Sequence, residues 1–323
     1  MLPEKNNKRY FKFPIDICVA PLAGISDKAF RLIAKEFGAS LVFTEMISCK
    51  ALEFNNRKTL RMIETFAEEH PVAVQIFGSE PDIMSRGAKI AVKAGADIID
   101  INMGCPMPKI VNNDEGAALM KQPEHAGDIV KAVKDAIAVP VSVKMRTGWD
   151  ASSINAVEFA LQMQQAGADM VIVHGRTRDQ MYHGKADWNI IREVHDALNI
   201  PVVGNGDIFT AADAVEKHAA SGVDGLMLAR GVLGNPWLVS EVAAAFAGGE
   251  ISCPDITEKI KMAKKHLWLM SSYEPERQTV LQMRKHLTWY IKGIHDSALV
   301  RNEINCCNTI DGLIKILDNV AIF

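Results

Sequence analysis

The sequence contains no apolar run of the length that crosses a membrane. Its N-terminal stretch, MLPEKNNKRYFKF, is partly basic, but neither an apolar segment nor a small-residue cleavage site follows it, so it is not a secretory signal. A net charge of −3 and 48% hydrophobic residues are typical of an ordinary globular protein. These absences predict a cytoplasmic protein that has no membrane partner.

The cysteines form no C-x-x-C pair, and two of them, Cys306 and Cys307, are adjacent. Adjacent cysteines are a poor arrangement for a zinc site or for an ordinary disulfide framework. We therefore expect reduced thiols, and we expect no metal among the ligands of this protein.

Two short signatures alternate along the chain and mark apolar runs that are rich in Val and Ile. Each run is mostly apolar on both faces, which is typical of parallel strands covered by helices. Proline-valine introduces the runs 71–77, 140–146 and 201–207, glycine-x-aspartate introduces 95–102, 167–175 and 222–231, and two earlier runs lie at 17–23 and 41–47. The sequence therefore predicts eight strands.

Stretches with helical spacing separate these strands. They cover 81–94, 115–137, 153–166, 187–198 and 210–220, and Thr210 is a residue type that caps a helix. Eight strand–helix units in roughly 230 residues match a (β/α)8 TIM barrel, for which about 250 residues is typical. A doubly wound open sheet is the alternative, but no G-x-G-x-x-G opens a first helix. The predicted fold is therefore an α/β TIM barrel.

The alternation of strands and helices stops at residue 254. Three later segments have helical spacing with no strand between them: ITEKIKMAKKHLWLM, ERQTVLQMRKHLTWYIKGIHD and IDGLIKILDNV. We therefore predict two domains, a barrel over residues 1–250 and a small C-terminal helical domain over residues 254–323.

In TIM barrels the active site lies at the C-terminal ends of the strands, so the polar residue that ends each run indicates the site. Lys144 and His174 are the most informative, because each lies inside a run that should be buried, where an unpaired polar group is costly. The other strand ends carry Pro21, Leu22, Ala23, Glu45, Gln75, Asn102, Arg146, Arg176, Asn205, Gly206, Asp207, Ala229 and Arg230. These residues should meet at one mouth, although a solvated polar group at a strand end is the alternative for any one of them.

The last two strands of such barrels commonly form a phosphate site with a short following helix. The segments VVGNGDIFTA and LARGVLGNPWL supply glycines, helix starts and Arg230 for such a site. A flavin that accepts hydride gains negative charge on one edge, and Lys144 is well placed to stabilise that charge. FMN, which has one phosphate, fits this arrangement better than a dinucleotide.

Cys105 lies between Gly104 and Pro106, just after the strand in IIDINMGCPMPKI. Glycine permits backbone angles that other residues resist, and proline blocks further ladder bonding, so we expect a turn with the thiol near its tip. A thiol that only fills space belongs inside the strand. The position suggests a reactive cysteine, with a merely structural one as the alternative.

Several segments, spread over nearly the whole chain, form a specific combination: APLAGISDKAFR, TEM, QIFG, NMGCP, SVKMRTGW, VHGRT, NGDI and MRKHLTWYIKG. In this order they resemble the tRNA-dihydrouridine synthases, specifically the bacterial B-type subgroup. The resemblance implies an FMN-dependent barrel whose C-terminal helical domain binds tRNA. It also implies an oxidoreductase in which NADPH, or less often NADH, recharges the flavin, and the 5,6 double bond of specific tRNA uridines is reduced to dihydrouridine.

The same resemblance assigns site residues. It implies FMN contacts at Pro21, Leu22, Ala23, Gln75, Lys144, His174, Asn205, Gly206, Asp207, Ala229 and Arg230, of which Ala229 stands where the family commonly has glycine. It makes Cys105 the catalytic acid and places Asn102 and Arg176 on the uracil side. An acid must remain a thiol until it donates, so the neighbours of Cys105 should not strongly favour the thiolate.

The C-terminal segment 254–323 carries ten Lys or Arg against eight Asp or Glu, so it is mildly basic although the whole chain is not. On a helix through 280–294, Lys285, Trp289 and Lys292 share one stripe with Arg284 beside it. Cations that flank an aromatic ring can bind phosphates and stack a base, so these residues are predicted tRNA contacts. A solvated helix face with one interfacial Trp is the alternative.

Three other functions compete with this interpretation. An FMN barrel that acts on a free small molecule, such as dihydroorotate dehydrogenase, would not need the helical tail. An RNA-binding module without catalysis would not need Lys144 and Cys105. A phosphate-binding barrel lyase or isomerase would hold no flavin.

Overall fold

A computed structural model of the chain describes residues 16–251 and 253–320. Nine strands lie in the described residues, namely β1 (Asp16–Val19), β2 (Leu41–Phe43), β3 (Ile47–Ser48), β4 (Val72–Phe77), β5 (Ile98–Met103), β6 (Val141–Met145), β7 (Met170–His174), β8 (Val202–Asn205) and β9 (Gly225–Leu228). None of the helices described below is long and apolar enough to cross a membrane.

The strands other than β3 close into a barrel. Their order is β2-β1-β9-β8-β7-β6-β5-β4, every pairing is parallel, and β2 also pairs with β4 to complete the circle. The two-residue β3 pairs only with the far end of β4. The predicted TIM barrel of eight parallel strands is therefore confirmed, and the open sheet is excluded.

Ten α-helices accompany the barrel strands: α1 (Lys28–Glu36), α2 (Cys49–Glu53), α3 (Arg57–Met62), α4 (Pro81–Lys93), α5 (Pro108–Val111), α6 (Pro123–Ala136), α7 (Ala156–Gln165), α8 (Trp188–Ala197), α9 (Ala211–Ser221) and α10 (Trp237–Ala247). The predicted helix 115–137 divides into a 3-10 turn, Gly116–Lys121, and α6, because Pro123 has no N–H and is tolerated only in the first turn of a helix. Thr210 caps α9 as predicted, since its hydroxyl accepts the N–H of Asp213.

Alternate strand residues serve two separate apolar layers. One cluster consists of strand residues and their immediate extensions, such as Cys18, Phe43 and Met227, and fills the inside of the barrel. The other joins the outward strand residues, such as Val74 and Val143, to the surrounding helices. Both faces of each strand are therefore buried, which explains why the runs are apolar throughout.

Over residues 253–320 the C-terminal tail forms four helices: α11 (Ile256–Ser271), α12 (Glu276–Tyr290), α13 (Ser297–Cys306) and α14 (Ile310–Val320). Their buried apolar side chains form a third cluster that includes one barrel residue, Ala29 of α1. The sequence predicted α11, α12 and α14 but not α13, and α12 ends at Tyr290 rather than continuing to residue 294. The tail thus has its own core and rests on α1.

Candidate active site at the mouth of the barrel

One cavity of about 550 Å³ opens at the C-terminal ends of the barrel strands. Every residue predicted to contact FMN lines it: Pro21, Leu22, Ala23, Gln75, Lys144, His174, Asn205, Gly206, Asp207, Ala229 and Arg230. Asn102 and Cys105 line it as well, and the sequence analysis missed the apolar and aromatic lining residues Met46, Phe77, Tyr182 and Phe209. The cavity therefore combines polar strand ends with an apolar surround, as small-molecule sites do.

Cys105 lies two residues beyond β5, on a turn that a side chain holds in place. The side-chain oxygen of Asn102 accepts the N–H groups of Gly104, at 3.1 Å, and of Cys105, at 2.9 Å. Gly104 does not have a positive φ, so the expectation that its backbone angles exclude other residues is wrong. Gly116 is the glycine that the turn needs, because its φ is +61° and a Cβ there would lie 3.1 Å from the Cβ of Cys105.

The half-buried thiol of Cys105 is held in its protonated form. Burial raises its pKa above the ordinary value, and the N–H of Met107 and the charge of Arg146 oppose that rise without reversing it. Arg146 itself is engaged by backbone carbonyls, since it donates to Gly104, at 2.8 Å, and to Thr177, at 2.7 Å. The site therefore presents a thiol, not a thiolate, near neutral pH.

A buried chain of hydrogen bonds leads from Asp100 to the Cys105 turn. Asp100 accepts from the hydroxyl of Ser142 and from the amide of Gln75, both at 2.6 Å. The Gln75 oxygen in turn accepts from the amide of Asn102 at 2.8 Å. Asp100 was missed by the sequence analysis, although an acid inside an apolar strand is itself a signal of a paired buried group.

Lys144 and Asp100 lie on the neighbouring strands β6 and β5 and influence each other's charge. Burial lowers the pKa of Lys144, and the Asp100 carboxylate opposes that change. Burial likewise raises the pKa of Asp100. The ammonium group donates to the side-chain oxygen of Asn205 at 3.3 Å, and the amide of Asn205 donates to the carbonyl of Met227. Lys144 is thus fixed at the cavity by one polar contact and one charged neighbour.

Gly206 and Asp207 form a tight turn after β8. Their φ angles are +136° and +51°, and a Cβ on Gly206 would lie 2.6 Å from the Cβ of Ala186. The Asp207 carboxylate accepts from Arg230, at 3.1 Å, and from the N–H of Ala186, at 2.8 Å. Arg230 also stacks against the ring of Tyr182, with 5.0 Å between guanidinium carbon and ring centre. The turn therefore holds the guanidinium of Arg230 in place at this end of the cavity.

Ala229 has φ −128° and ψ −99°, which lies outside both the α and the β region although its φ is not positive. The backbone of Arg230 and Gly231 then continues into a short 3-10 turn, Arg230–Val232.

His174 is neutral at the cavity wall. Burial, together with the positive charges of Lys144 and Arg146, lowers its pKa well below the ordinary value. The guanidinium of Arg176 lies 3.5 Å from the Nε2 atom.

Arg176 is not among the residues that line the cavity, and its place on the substrate side stays a prediction. Its side chain is 2% exposed, and it donates to Asp207 at 2.8 Å and to the carbonyls of His183 and Gly184. Asn102 does reach the cavity, but its amide and oxygen are occupied by Gln75 and by the Cys105 turn. Both residues therefore hold other groups in position.

The predicted tRNA contacts of the tail do not form one stripe. Arg284 donates to the carbonyl of Cys307, at 2.8 Å, and to Asn308, so it is held inside the tail. Lys292 lies beyond the end of α12 and is exposed. The ammonium of Lys285 lies at the barrel, 3.4 Å from the point where a Cβ of Gly24 would stand. The helix through residue 294, on which the predicted stripe depends, ends too early to form it.

The fold and the site define a TIM-barrel protein with a cavity at its strand ends that is lined by Lys144 and Arg230 and has a protonated thiol at its rim. The family model of the dihydrouridine synthases (Dus) matches residues 18–322. The chain therefore belongs to the dihydrouridine synthase family.

Curated relatives agree with this assignment. A probable tRNA-dihydrouridine synthase 1 from Synechocystis sp. is 41% identical over 302 residues, which are 93% of this chain and 84% of that protein. A probable tRNA-dihydrouridine synthase from Rickettsia conorii is 40% identical, over 91% of this chain and 89% of that protein. The tRNA-dihydrouridine synthase B from Xanthomonas axonopodis pv. citri is 39% identical with the same coverage. The predicted family and subgroup are thereby confirmed.

Solved structures share the fold at low identity. Histamine dehydrogenase from Rhizobium sp. 4-9 is 13% identical with a TM-score of 0.56, over 78% of this chain and 48% of that one. The amine oxidase HisD from Pseudomonas geniculata has 13% identity and a TM-score of 0.54, over 73% of this chain and 50% of that one. The chain spans about half the length of these two proteins, and at this identity the likeness shows the fold alone.

Proposed function

We propose that this protein is a tRNA-dihydrouridine synthase that binds FMN and reduces the 5,6 double bond of uridines in tRNA. The observation that carries the proposal is the shared cavity: the protonated thiol of Cys105 lines the same cavity as Lys144 and Arg230. Reduction of that double bond needs a hydride at one carbon and a proton at the other. A thiol opposite a ring-binding surface can supply the proton.

The residues of the cavity suit FMN. Arg230, together with the backbone turn at Gly206 and Asp207, would hold the single phosphate. Lys144 would lie beside the ring, where a cation stabilises the negative charge of the reduced form, and neutral His174 adds no further charge. FMN, when bound, supplies the hydride to the uracil ring.

Cys105 then acts as the general acid. Its raised pKa keeps the proton on sulfur until the ring carbon needs it, and Asn102 holds the turn so that the thiol keeps one orientation. Asp100 and Gln75 support Asn102 from below. Arg176 acts one step further back, by fixing the Asp207 carboxylate next to Arg230.

The electrons come from a nicotinamide cofactor, NADPH in preference to NADH, which leaves before tRNA enters. A uridine must be drawn out of its stack to reach a cavity at the barrel mouth. The tail is the proposed tRNA-binding part, with Lys285 at the rim and Lys292 in solvent. A tRNA substrate also places the protein in the cytoplasm. In this proposal residues 1–250 carry FMN and catalysis, and residues 254–323 bind RNA.

The test is Cys105→Ala in the full chain. The variant should bind FMN and oxidise NADPH like the wild type, because neither step uses the thiol, but dihydrouridine formation in tRNA should fall by about 10²–10⁴-fold, the usual contribution of a general acid. Cys306→Ala, an exposed cysteine of the tail, is the matched control and should keep full activity. Wild-type tRNA turnover in Cys105→Ala would refute the assignment. Free uridine and dihydroorotate, tested alongside, should not turn over at all if the tail is needed.

A further inference from the structure

Asp27, His266 and His286 form a polar cluster that the proposed activity does not use. Asp27 precedes α1 of the barrel, whereas His266 lies on α11 and His286 on α12 of the tail. One nitrogen from each ring and one carboxylate oxygen lie within 4.8 Å of one another. The histidines are only 1% and 2% exposed. Three ligand-type atoms from three helices thus converge in the interface between barrel and tail.

The facing atoms of this cluster are poorly satisfied by hydrogen bonds. Within the described residues, the Oδ2 atom of Asp27 and the Nε2 atoms of both histidines are buried without a hydrogen-bond partner. The Nε2 atom of His286 lies 3.4 Å from Oδ2 of Asp27, which is too long for a good hydrogen bond. In a tetrahedral zinc site whose metal–ligand bonds are about 2.0–2.1 Å long, two ligand atoms lie at nearly this distance from each other.

The remaining atoms of the cluster are held from outside. The Oδ1 atom of Asp27 accepts the N–H of Phe30, at 3.0 Å, and the hydroxyl of Tyr273, at 3.2 Å. The Nδ1 atom of His266 lies 3.3 Å from the hydroxyl of Tyr290. Metal-binding carboxylates and histidines are oriented by outer contacts of this kind.

We propose that Asp27, His266 and His286 bind a divalent transition metal, Zn²⁺ by preference, which ties the tail to the barrel. Two imidazoles and one carboxylate are an established donor set for Zn²⁺. A void of about 10 Å³, which is close to the space that one water needs, borders His266, His286 and Tyr290 but not Asp27.

This site could not be predicted from the sequence. Its ligands come from opposite ends of the chain, and the two histidines lie on different helices at a spacing that matches no zinc motif. The expectation of no metal rested on the cysteines, which take no part in the cluster. The proposal is independent of the enzymatic activity, because neither FMN nor tRNA enters its test.

The experiment measures metal bound to the untagged full chain after incubation with Zn²⁺ and dialysis. Elemental analysis should find a single zinc ion per chain, and Co²⁺ in its place should give the intense visible bands of tetrahedral coordination. His266→Ala, His286→Ala and Asp27→Asn should each weaken Zn²⁺ binding by more than the roughly 10–100-fold that loss of an outer contact costs. His295→Ala is the matched control, because its side chain is 92% exposed and lies outside the cluster.

Two features keep the test decisive if a histidine variant fails to fold. Asparagine is a good N-cap residue, so Asp27→Asn keeps the start of α1 while it removes the anionic ligand. In the wild type, a chelator should lower the unfolding temperature and Zn²⁺ should restore it. A wild-type chain that retains no zinc and whose unfolding temperature ignores the chelator would overturn the proposal. So would a loss of zinc from His295→Ala equal to that from the cluster variants.

Discussion

Replacing Asp100 by asparagine should remove the negative charge beneath the cavity while it keeps the hydrogen bonds that shape the cavity. The buried carboxylate can only accept, so it fixes the direction of the chain in which Gln75 donates to it and accepts from Asn102. In Asp100→Asn, the amide oxygen can still face Gln75, and the new NH₂ can face Ser142, whose hydroxyl can also accept. The order of donors and acceptors up to the Cys105 turn therefore survives, and the main loss is the negative charge.

That loss should act on Lys144, whose pKa is lowered by burial and raised by Asp100. A nearby opposite charge shifts a pKa by about 1–3 units, which corresponds to roughly 1.4–4 kcal/mol. Without Asp100 the pKa of Lys144 falls further, so the ammonium loses its proton at a lower pH than in the wild type. Because the ammonium favours the FMN ring, FMN affinity should begin to decline about 1–3 pH units earlier as the pH rises.

The assay is quenching of FMN fluorescence by the flavin-free chain, repeated between about pH 5 and pH 9, a range that covers a fall of up to about 3 units from the Lys144 pKa of about 8. Ser142→Ala is the graded comparison, since it removes one of the hydrogen bonds that lower the pKa of Asp100 but keeps the carboxyl group. It should move the pH at which FMN affinity declines in the same direction, but by less than Asp100→Asn does. If wild type and Asp100→Asn lose affinity at the same pH, Asp100 does not set the charge of Lys144 and the reasoning fails.

Further predictions concern Lys144 and the tail. Lys144→Ala should weaken FMN binding or slow its reduction by NADPH in stopped-flow measurements, because it removes the cation beside the ring, and unchanged flavin content with unchanged kinetics would contradict this role. Lys292→Glu should weaken tRNA binding and flatten its logarithmic salt dependence by about 0.7–0.9 for the lost phosphate contact, at an unchanged unfolding temperature. Arg284→Glu should also lower the unfolding temperature, because it breaks the hydrogen bonds to Cys307 and Asn308. Equal tRNA affinity in wild type and Lys292→Glu at all salt concentrations would remove Lys292 from the interface.

The barrel could be predicted because its information is local and repeated. Each strand is a short apolar run, six of the eight runs follow a proline-valine or glycine-x-aspartate signal, and the parallel topology then brings all the strand ends to one mouth. This is why residues as distant in sequence as Pro21 and Arg230 were expected in one cavity and line it together. Assigning the strand ends to that face required no knowledge of where the side chains point.

Side-chain direction is what the sequence could not supply. Lys144 lies near the end of β6 and Arg176 lies two residues after β7, so both were expected at the mouth. The guanidinium of Arg176 instead binds Asp207 and does not line the cavity. Gly116 supports the Cys105 turn from eleven residues away, and the sequence around Gly116 does not predict that contact. Such errors arise wherever a residue's role depends on a partner that the fold brings close and that the residue spacing in the sequence does not reveal.

The tail shows how contacts of this kind join the two parts of the molecule. Ala29 of the barrel belongs to the apolar core of the tail, and Asp27 faces two tail histidines. A barrel cut near residue 250 would therefore expose an apolar face and leave the Asp27 carboxylate without the two histidines that face it. Loss of tRNA activity in such a fragment would not distinguish RNA binding from support of the fold. Single exposed charges such as Lys292, which the apolar core does not use, isolate RNA binding where the truncation cannot.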